Sequence, residues 1–465
     1  MKYVSTRGRA PVLEFADVLL TGLAADGGLY VPETWPPLSP SEPAAGPPRQ
    51  AGWGEAFRGR TYAETAAEVV WPYVEGSLPR PELDDLVRQA YAGFDHPDVC
   101  PLVRIEPDLY VAELFHGPTL AFKDVALQLV GLLFDRELAR RGRRATIVVA
   151  TSGDTGAAAI EACVGRPTLD VVVLHPAGRV SEVQRRMMTT VDAPNVHNLA
   201  VEGTFDDCQA LVKELFADAG LRERRGLSAM NSINWARVAA QIVYYVVAAA
   251  RLGRCEVAVP TGNFGNVLAG WIARRCGAPI EGFVIGSNRN DILTRWVRTG
   301  ELRREGVAPT LSPAMDIQVS SNHERLLFEL LDRDAAATAE LMERFGALGA
   351  IEAPRDPVFV AASLDDEATV ATIRDLYRRT GYVADPHTAV GVGAALATRR
   401  HPDLPLVCMA TAHPAKFPDA VEQATGTHPA LPEHLADLFV RPERYDVLPA
   451  DLDTVRRHVE AVTSG

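Results

Sequence analysis

The sequence predicts an α/β protein built on two open, mostly parallel sheets with an additional N-terminal section. Three runs carry that expectation: Ala145 to Ala150, Glu256 to Val259 and Leu406 to Ala410 are short, apolar and suited to buried parallel strands. Each ends in a loop of small and polar residues, and a helical pattern follows each loop. In open parallel sheets such loops gather at the carboxyl edge, where ligands bind.

A chain of 465 residues has room for two or three domains with sizeable cores. With 47% hydrophobic and 23% charged residues the composition is that of an ordinary globular protein, and a formal net charge of -13 leaves no footprint for nucleic acid or for a polybasic membrane patch. The longest apolar run, Ile242 to Ala250, is far short of the ~20 residues that cross a bilayer. No apolar segment follows the charged start Met1 to Arg9, so a cytoplasmic location is expected. Six scattered cysteines without a C-x-x-C pair read as free buried thiols.

Taken in order, the N-terminal section opens with Ser5-Thr6-Arg7-Gly8, then a helical pattern over Val12, Phe15, Ala16, Val18 and Leu19. The turn Asp26-Gly27-Gly28 leads into Leu29 to Pro32. Arg7 either reaches a ligand or, the plainer reading, lies at the surface. Six prolines between residues 36 and 48 indicate an extended connector, and helical patterns resume at Tyr62 to Val70 and Pro81 to Tyr91. Leu109 to Leu114 suits a strand. Val125 to Arg140 has hardly a polar face, so Lys123 falls at the start of a helix expected to be buried. Further strands are expected at Leu169 to Leu174 and Phe283 to Gly286, and helices at Phe205 to Ala217, Trp235 to Leu252 and Val267 to Cys276. Gly391-Val392-Gly393 lacks the third glycine of a dinucleotide fingerprint, Leu396 standing in its place, and reads as helix packing.

The chemistry concentrates at the strand ends. A desolvated Lys123 has a lowered pKa and becomes a usable amine nucleophile or base; the plainer reading pairs it with Asp124 or with a local carbonyl. It does not belong to a phosphate-gripping P-loop, because Phe122 and Asp124 occupy the places of the obligatory Gly and Ser or Thr. Gly262-Asn263-Phe264-Gly265-Asn266 has the make-up of an anion cradle at a helix start, or of an ordinary tight turn. Ser152-Gly153-Asp154-Thr155-Gly156 suits a carboxylate or phosphate ester, with Asp154 bracing the loop. Asn231 to Arg237 begins a long helix, with Arg237 facing a bound anion or solvent. Thr411 offers a hydroxyl at the third strand end. His116, His323, His387 and His413 show no metal-ligand spacing, so no metal is expected. Together, a buried lysine, two anion cradles and a strand-end hydroxyl meet the needs of pyridoxal phosphate.

These residues resemble the long-form threonine synthase family, within the fold-type II pyridoxal phosphate enzymes of tryptophan synthase β-like architecture. The resemblance runs through Ser5 to Gly8, Asp26 to Leu29, His116 to Asp124, Thr151 to Gly156, Asn231 to Arg237, Pro260 to Asn266 and Thr411 to Phe417. It implies that Lys123 forms the Schiff base with the cofactor. Gly262, Asn263, Phe264, Gly265 and Asn266 would bind the cofactor phosphate, and Thr411 would face the pyridine nitrogen. Ser152, Asp154, Thr155, Asn234 and Arg237 are substrate candidates. The implied reaction turns O-phospho-L-homoserine and water into L-threonine and phosphate, the last step of threonine biosynthesis, by a monomer or homodimer. Rivals are a phospholyase or a threonine/serine dehydratase with the same cofactor, and more remotely a non-catalytic ligand-binding relative. The expected division is a largely helical section over 1–95, a cofactor domain over 96–145 and 231–465, and a smaller domain over 146–230 that closes on substrate.

Overall fold

The structure, a computed structural model, describes residues 1–38 and 53–463. From residue 39 onward the proline-rich connector lies outside the described residues. Two compact units make up the chain: Met1–His116 with Ser232–Pro429, and Gly117–Asn231 with Ala430–Gly465.

The first unit is built on a six-stranded sheet in the order Phe359–Ser363, Ile280–Ser287, Cys255–Pro260, Leu406–Ala410, Leu109–Glu113, Leu102–Glu106. Every neighbouring pair is parallel except the last, which is antiparallel. The Cys255–Pro260 strand is buried along its whole length, as expected of a mostly apolar strand covered on both faces, and its one charged residue, Glu256, accepts from the N–H groups of Arg400 and His401. The helix Pro386–Thr398 packs on these strands, and glycine is needed at the contact: a Cβ at Gly286 would stand 2.9 Å from the Val390 carbonyl oxygen. The Gly391 segment is thus helix packing, as its composition suggests. The N-terminal section also belongs to this unit. It holds helices Phe15–Thr21, Tyr62–Val74 and Arg80–Tyr91, but opens on a three-stranded antiparallel sheet of Leu13–Glu14, Lys2–Ser5 and Tyr30–Pro32. Arg7 is not a surface arginine; it pairs with the buried Glu324 at 2.8 Å.

The second unit carries a five-stranded, wholly parallel sheet in the order Asp446–Pro449, Val196–Glu202, Leu169–Pro176, Ala145–Ala150, Leu227–Ser228. Its extent differs from the expected 146–230 at both ends. The helix Lys123–Arg140 packs on Asp154–Cys163 and so goes with this sheet. From the far end of the chain, Asp446–Pro449 adds a strand beside Val196–Glu202, and the helix Leu452–Val462 seats Val455 and Val459 in the apolar core. A strand added in parallel depends on a match of pattern and not on nearness in sequence, so the chain order conceals it.

The three strand-end loops consequently divide between the sheets. Those after Cys255–Pro260 and Leu406–Ala410 leave adjacent strands of one sheet, and the loop after Ala145–Ala150 leaves the other. No helix among the described residues is long and apolar enough to cross a membrane.

Candidate active site

In the second unit, Lys123 is the first residue of its helix and only 9% exposed. The turn before it is fixed by Asp124, whose carboxylate accepts hydrogen bonds from the Thr119 backbone N–H at 2.8 Å and the Thr119 hydroxyl at 2.6 Å. Asp124 is therefore engaged with the turn, and the ion pair falls to a residue further along: Lys123 Nζ stands 3.2 Å from Asp154 Oδ2. Burying an ammonium costs several kcal/mol unless it is paired, and the equally buried Asp154 supplies the pairing. Gln184 holds that carboxylate in place, its Nε2 donating to Asp154 Oδ1 at 2.8 Å. The loop is braced by Thr151, whose hydroxyl accepts from the N–H groups of Gly153 and Gly156, both at 3.0 Å. Asp154 thus braces the lysine and begins the helix Asp154–Cys163 three residues before the alanine run that marks it in sequence. Ser152 is exposed and Thr155 half-buried.

In the first unit the loop Thr261 to Asn266 is held almost entirely through its backbone. Thr261 N–H donates to the Gly286 carbonyl, the Ser320 hydroxyl donates to the Gly262 carbonyl at 2.7 Å, and the Asn322 N–H donates to the Asn263 carbonyl at 3.1 Å. Gly262 is obligatory: a Cβ there would lie 2.9 Å from the Ala314 carbonyl oxygen and 3.2 Å from Met315 Cα. Phe264 adopts a left-handed backbone with φ 66°, unusual for a bulky residue, and is locked there by Trp296, His323 and Phe359. With the carbonyls turned to these partners, none of the backbone N–H groups from Gly262 to Asn266 donates a hydrogen bond among the described residues. The helix Gly265–Arg275 starts at this point and adds the positive end of its dipole. Asn266 presents its carbonyl oxygen to the hydroxyls of Tyr244 and Tyr245, each at 2.7 Å, which turns its buried Nδ2 away without a partner among the described residues.

Thr411, buried at the end of the neighbouring strand, makes no side-chain hydrogen bond among the described residues. Two residues on, His413 accepts from the Ala415 N–H, and burial drives its pKa down to about 4, so it is neutral near pH 7. Arg237 is neither at the surface nor solvated: it is buried in the helix Trp235–Leu252, and desolvation brings its pKa down to about 10. Asn234 caps that helix by accepting from the Ala236 N–H at 3.0 Å and donates to the Leu19 carbonyl at 2.8 Å.

Residues 2–91 match the family described as threonine synthase N terminus, 100–411 the pyridoxal-phosphate dependent enzymes, and 388–459 the threonine synthase C-terminal family. The threonine synthase of Pseudomonas aeruginosa is 49% identical over 99% of this chain and 98% of its own. The chain belongs to the threonine synthase family. Among solved structures of the family, the pyridoxal phosphate-bound threonine synthase of Brucella melitensis superposes with a TM-score of 0.95 at 48% identity, covering 100% of both chains. The yeast threonine synthase gives 0.92 at 36% identity over 99% of this chain and 98% of its own. Family membership accounts for the α/β architecture and for the N-terminal section. Sequence reasoning missed the supports under the Gly262 loop, namely Ala314, Ser320 and Asn322; the cluster Ser320 to His323 is conspicuously polar, yet nothing in its spacing points to residue 262.

Proposed function

We propose that the chain is a pyridoxal phosphate-dependent lyase that converts O-phospho-L-homoserine and water into L-threonine and phosphate. The observation that carries this reading is identity of 49% with a threonine synthase across 99% of the chain. The residues present fit the cofactor. Gly262 to Asn266 offers uncommitted backbone N–H groups at a helix start, and Asn266 Nδ2 is an orphaned buried donor. A dianionic phosphate is the natural guest for such a set. We assign to Lys123 the covalent attachment of the cofactor and proton transfer at the substrate Cα, to Gly262, Asn263, Phe264, Gly265 and Asn266 the cofactor phosphate, and to Thr411 the pyridine nitrogen.

Bound pyridoxal phosphate supplies an electron sink for charge developed at Cα. The protein supplies the rest. Asp154 holds the Lys123 amine in one position, so that the proton it takes and returns has a fixed path. Thr411 would offer the pyridine nitrogen a hydroxyl in place of a carboxylate, a partner with little tendency to leave that nitrogen protonated, which would favour loss of the γ-phosphate over transamination. Ser152, Asp154, Thr155, Asn234 and Arg237 are assigned to the substrate side, Asn234 acting through the helix start that it caps. The same reading places the enzyme in the cytoplasm as a monomer or homodimer, and six buried free cysteines support a reducing compartment.

The test is product analysis. Incubation of the purified protein with O-phosphohomoserine is expected to release phosphate and threonine in equal amounts. Release of phosphate with 2-oxobutanoate instead of threonine would replace this reading by a phospholyase.

A further inference from the structure

Within the first unit, the cap of the helix Pro386–Thr398 contains more than capping requires. Asp385 accepts from the N–H groups of His387 and Thr388 and from the Thr388 hydroxyl, which satisfies the helix start. The His387 imidazole is surplus to that task, yet it is 3% exposed and engaged on both nitrogens and on its face. Its Nδ1 is 2.7 Å from Asp385 Oδ2. Its Nε2 accepts from the backbone N–H of Ala314 at 3.2 Å. Its ring packs against Phe417, centroids 4.9 Å apart. The carboxylate at one side can only accept and the amide at the other can only donate, so the ring carries a proton on Nδ1 and accepts at Nε2.

Two of these partners, Ala314 and Phe417, lead to the cofactor machinery assigned above. Ala314 and Met315 form the wall against which Gly262 packs so closely that no Cβ fits. Other bonds hold this segment through its neighbours: Asp316 accepts from Asn288, Asn290 and Thr310, and the Met315 N–H donates to Ser312. Among the described residues, only His387 takes up the Ala314 N–H. Phe417 closes the stretch Thr411 to Phe417, whose first residue faces the pyridine nitrogen in the proposed function.

We propose that His387 is a positioning residue for the cofactor. Fixed by Asp385 as an acceptor at Nε2, it sets the Ala314–Met315 wall that shapes the phosphate loop and, through Phe417, steadies the loop that carries Thr411. The inference rests on the proposed cofactor site and adds a residue to its support that touches neither cofactor nor substrate.

Two substitutions separate this role from simple capping. His387→Asn keeps a donor for Asp385 but has no atom where Nε2 stands; His387→Gln places a carbonyl oxygen there. After removal and titration of pyridoxal phosphate, His387→Asn is expected to bind the cofactor on the order of tenfold more weakly than wild type. Its bound cofactor should give a shifted or broadened 31P resonance, and the Ala314 amide, left without its acceptor, should exchange faster in the apoprotein. His387→Gln should recover most of each. Equal behaviour of the two variants, or a milder Asn variant, would overturn the proposal. Should His387→Asn fail to fold, 15N NMR of the wild-type histidine decides: a proton on Nδ1 is expected, and a proton on Nε2 refutes the strap. A wild-type chain that bound no pyridoxal phosphate would defeat the proposed function instead, and the tautomer and exchange measurements would still decide the strap.

Discussion

The two units build their candidate groups in opposite ways. At Lys123 the work is done by charge and side chains: a lysine 9% exposed, a carboxylate 3.2 Å away, and Gln184 to hold the carboxylate. At Gly262 to Asn266 no formal charge is involved. Backbone carbonyls are fastened by Ser320 and Asn322, a wall at Ala314 and Met315 excludes any Cβ, and the N–H groups are left over for an anion. A charged site tolerates small displacements because Coulomb attraction falls slowly with distance, whereas a backbone cradle works only in one shape. Side-chain chemistry should therefore be lost on removing a functional group, and cradle binding weakened by adding a single methyl.

The largest effect is expected from Lys123→Ala. Loss of the amine should remove the yellow absorbance of the covalently held cofactor and lower turnover by about 10²–10⁴-fold or more, the range for a positioned acid-base group. A yellow, active variant would end the side-chain half of the contrast. Gly262→Ala comes next. Its Cβ must displace backbone at Ala314 and Met315, an overpacking cost of about 1–3 kcal/mol, expected as weakened pyridoxal phosphate binding with Lys123 chemistry retained at saturating cofactor. Binding indistinguishable from wild type would show that the cradle is not shape-limited. Thr411→Asp should act on partition more than on rate, raising keto-acid product relative to threonine several-fold, about 1 kcal/mol of selectivity. An unchanged ratio, measured by product analysis, would remove Thr411 from the pyridine nitrogen.

The smallest effect concerns pH. His116 lies between Asp95, 2.7 Å from Nδ1, and Glu113, 2.9 Å from Nε2. Burial pulls its pKa down, and the two carboxylates overcome that, so the net shift is upward from 6.5. A histidine raised in the folded state binds its proton more tightly there. Its stabilisation is complete below the unfolded pKa near 6.5 and is lost as pH rises through the folded value. Chemical denaturation from pH 6 to 9 should show that decline, and His116→Gln should flatten it. A decline of equal slope in the variant would assign it elsewhere.

The same contrast explains what was legible in the sequence. Lys123 at a strand-to-helix corner, the apolar strands and the glycine-bearing loops announce themselves by local pattern. So does the buried helix behind Lys123, whose observed span Lys123–Arg140 closely follows its apolar run. Helix starts were less visible: Asp154–Cys163 and Gly265–Arg275 begin inside the loops, because a helix needs only donors and a suitable backbone at its first turn. The ion-pair partner of Lys123 lies 31 residues away, where Asp124 is adjacent and already bonded to Thr119. Least visible was the support under Gly262. Ala314, Ser320, Asn322 and His387 act on backbone atoms across long stretches of chain, and no periodicity or spacing marks a residue that serves in that way. The C-terminal strand Asp446–Pro449 escaped for a related reason, since its sheet partner lies some 250 positions earlier.

The assignment of Lys123 as the cofactor-bearing amine is the point on which the account turns. The chain contains four lysines, Lys2, Lys123, Lys213 and Lys416, and Lys416 is also buried, within the stretch that follows Thr411. Borohydride reduction of the yellow protein followed by peptide mapping should place the phosphopyridoxyl group on Lys123 alone. A label on Lys416, or on either of the other two, would contradict the account.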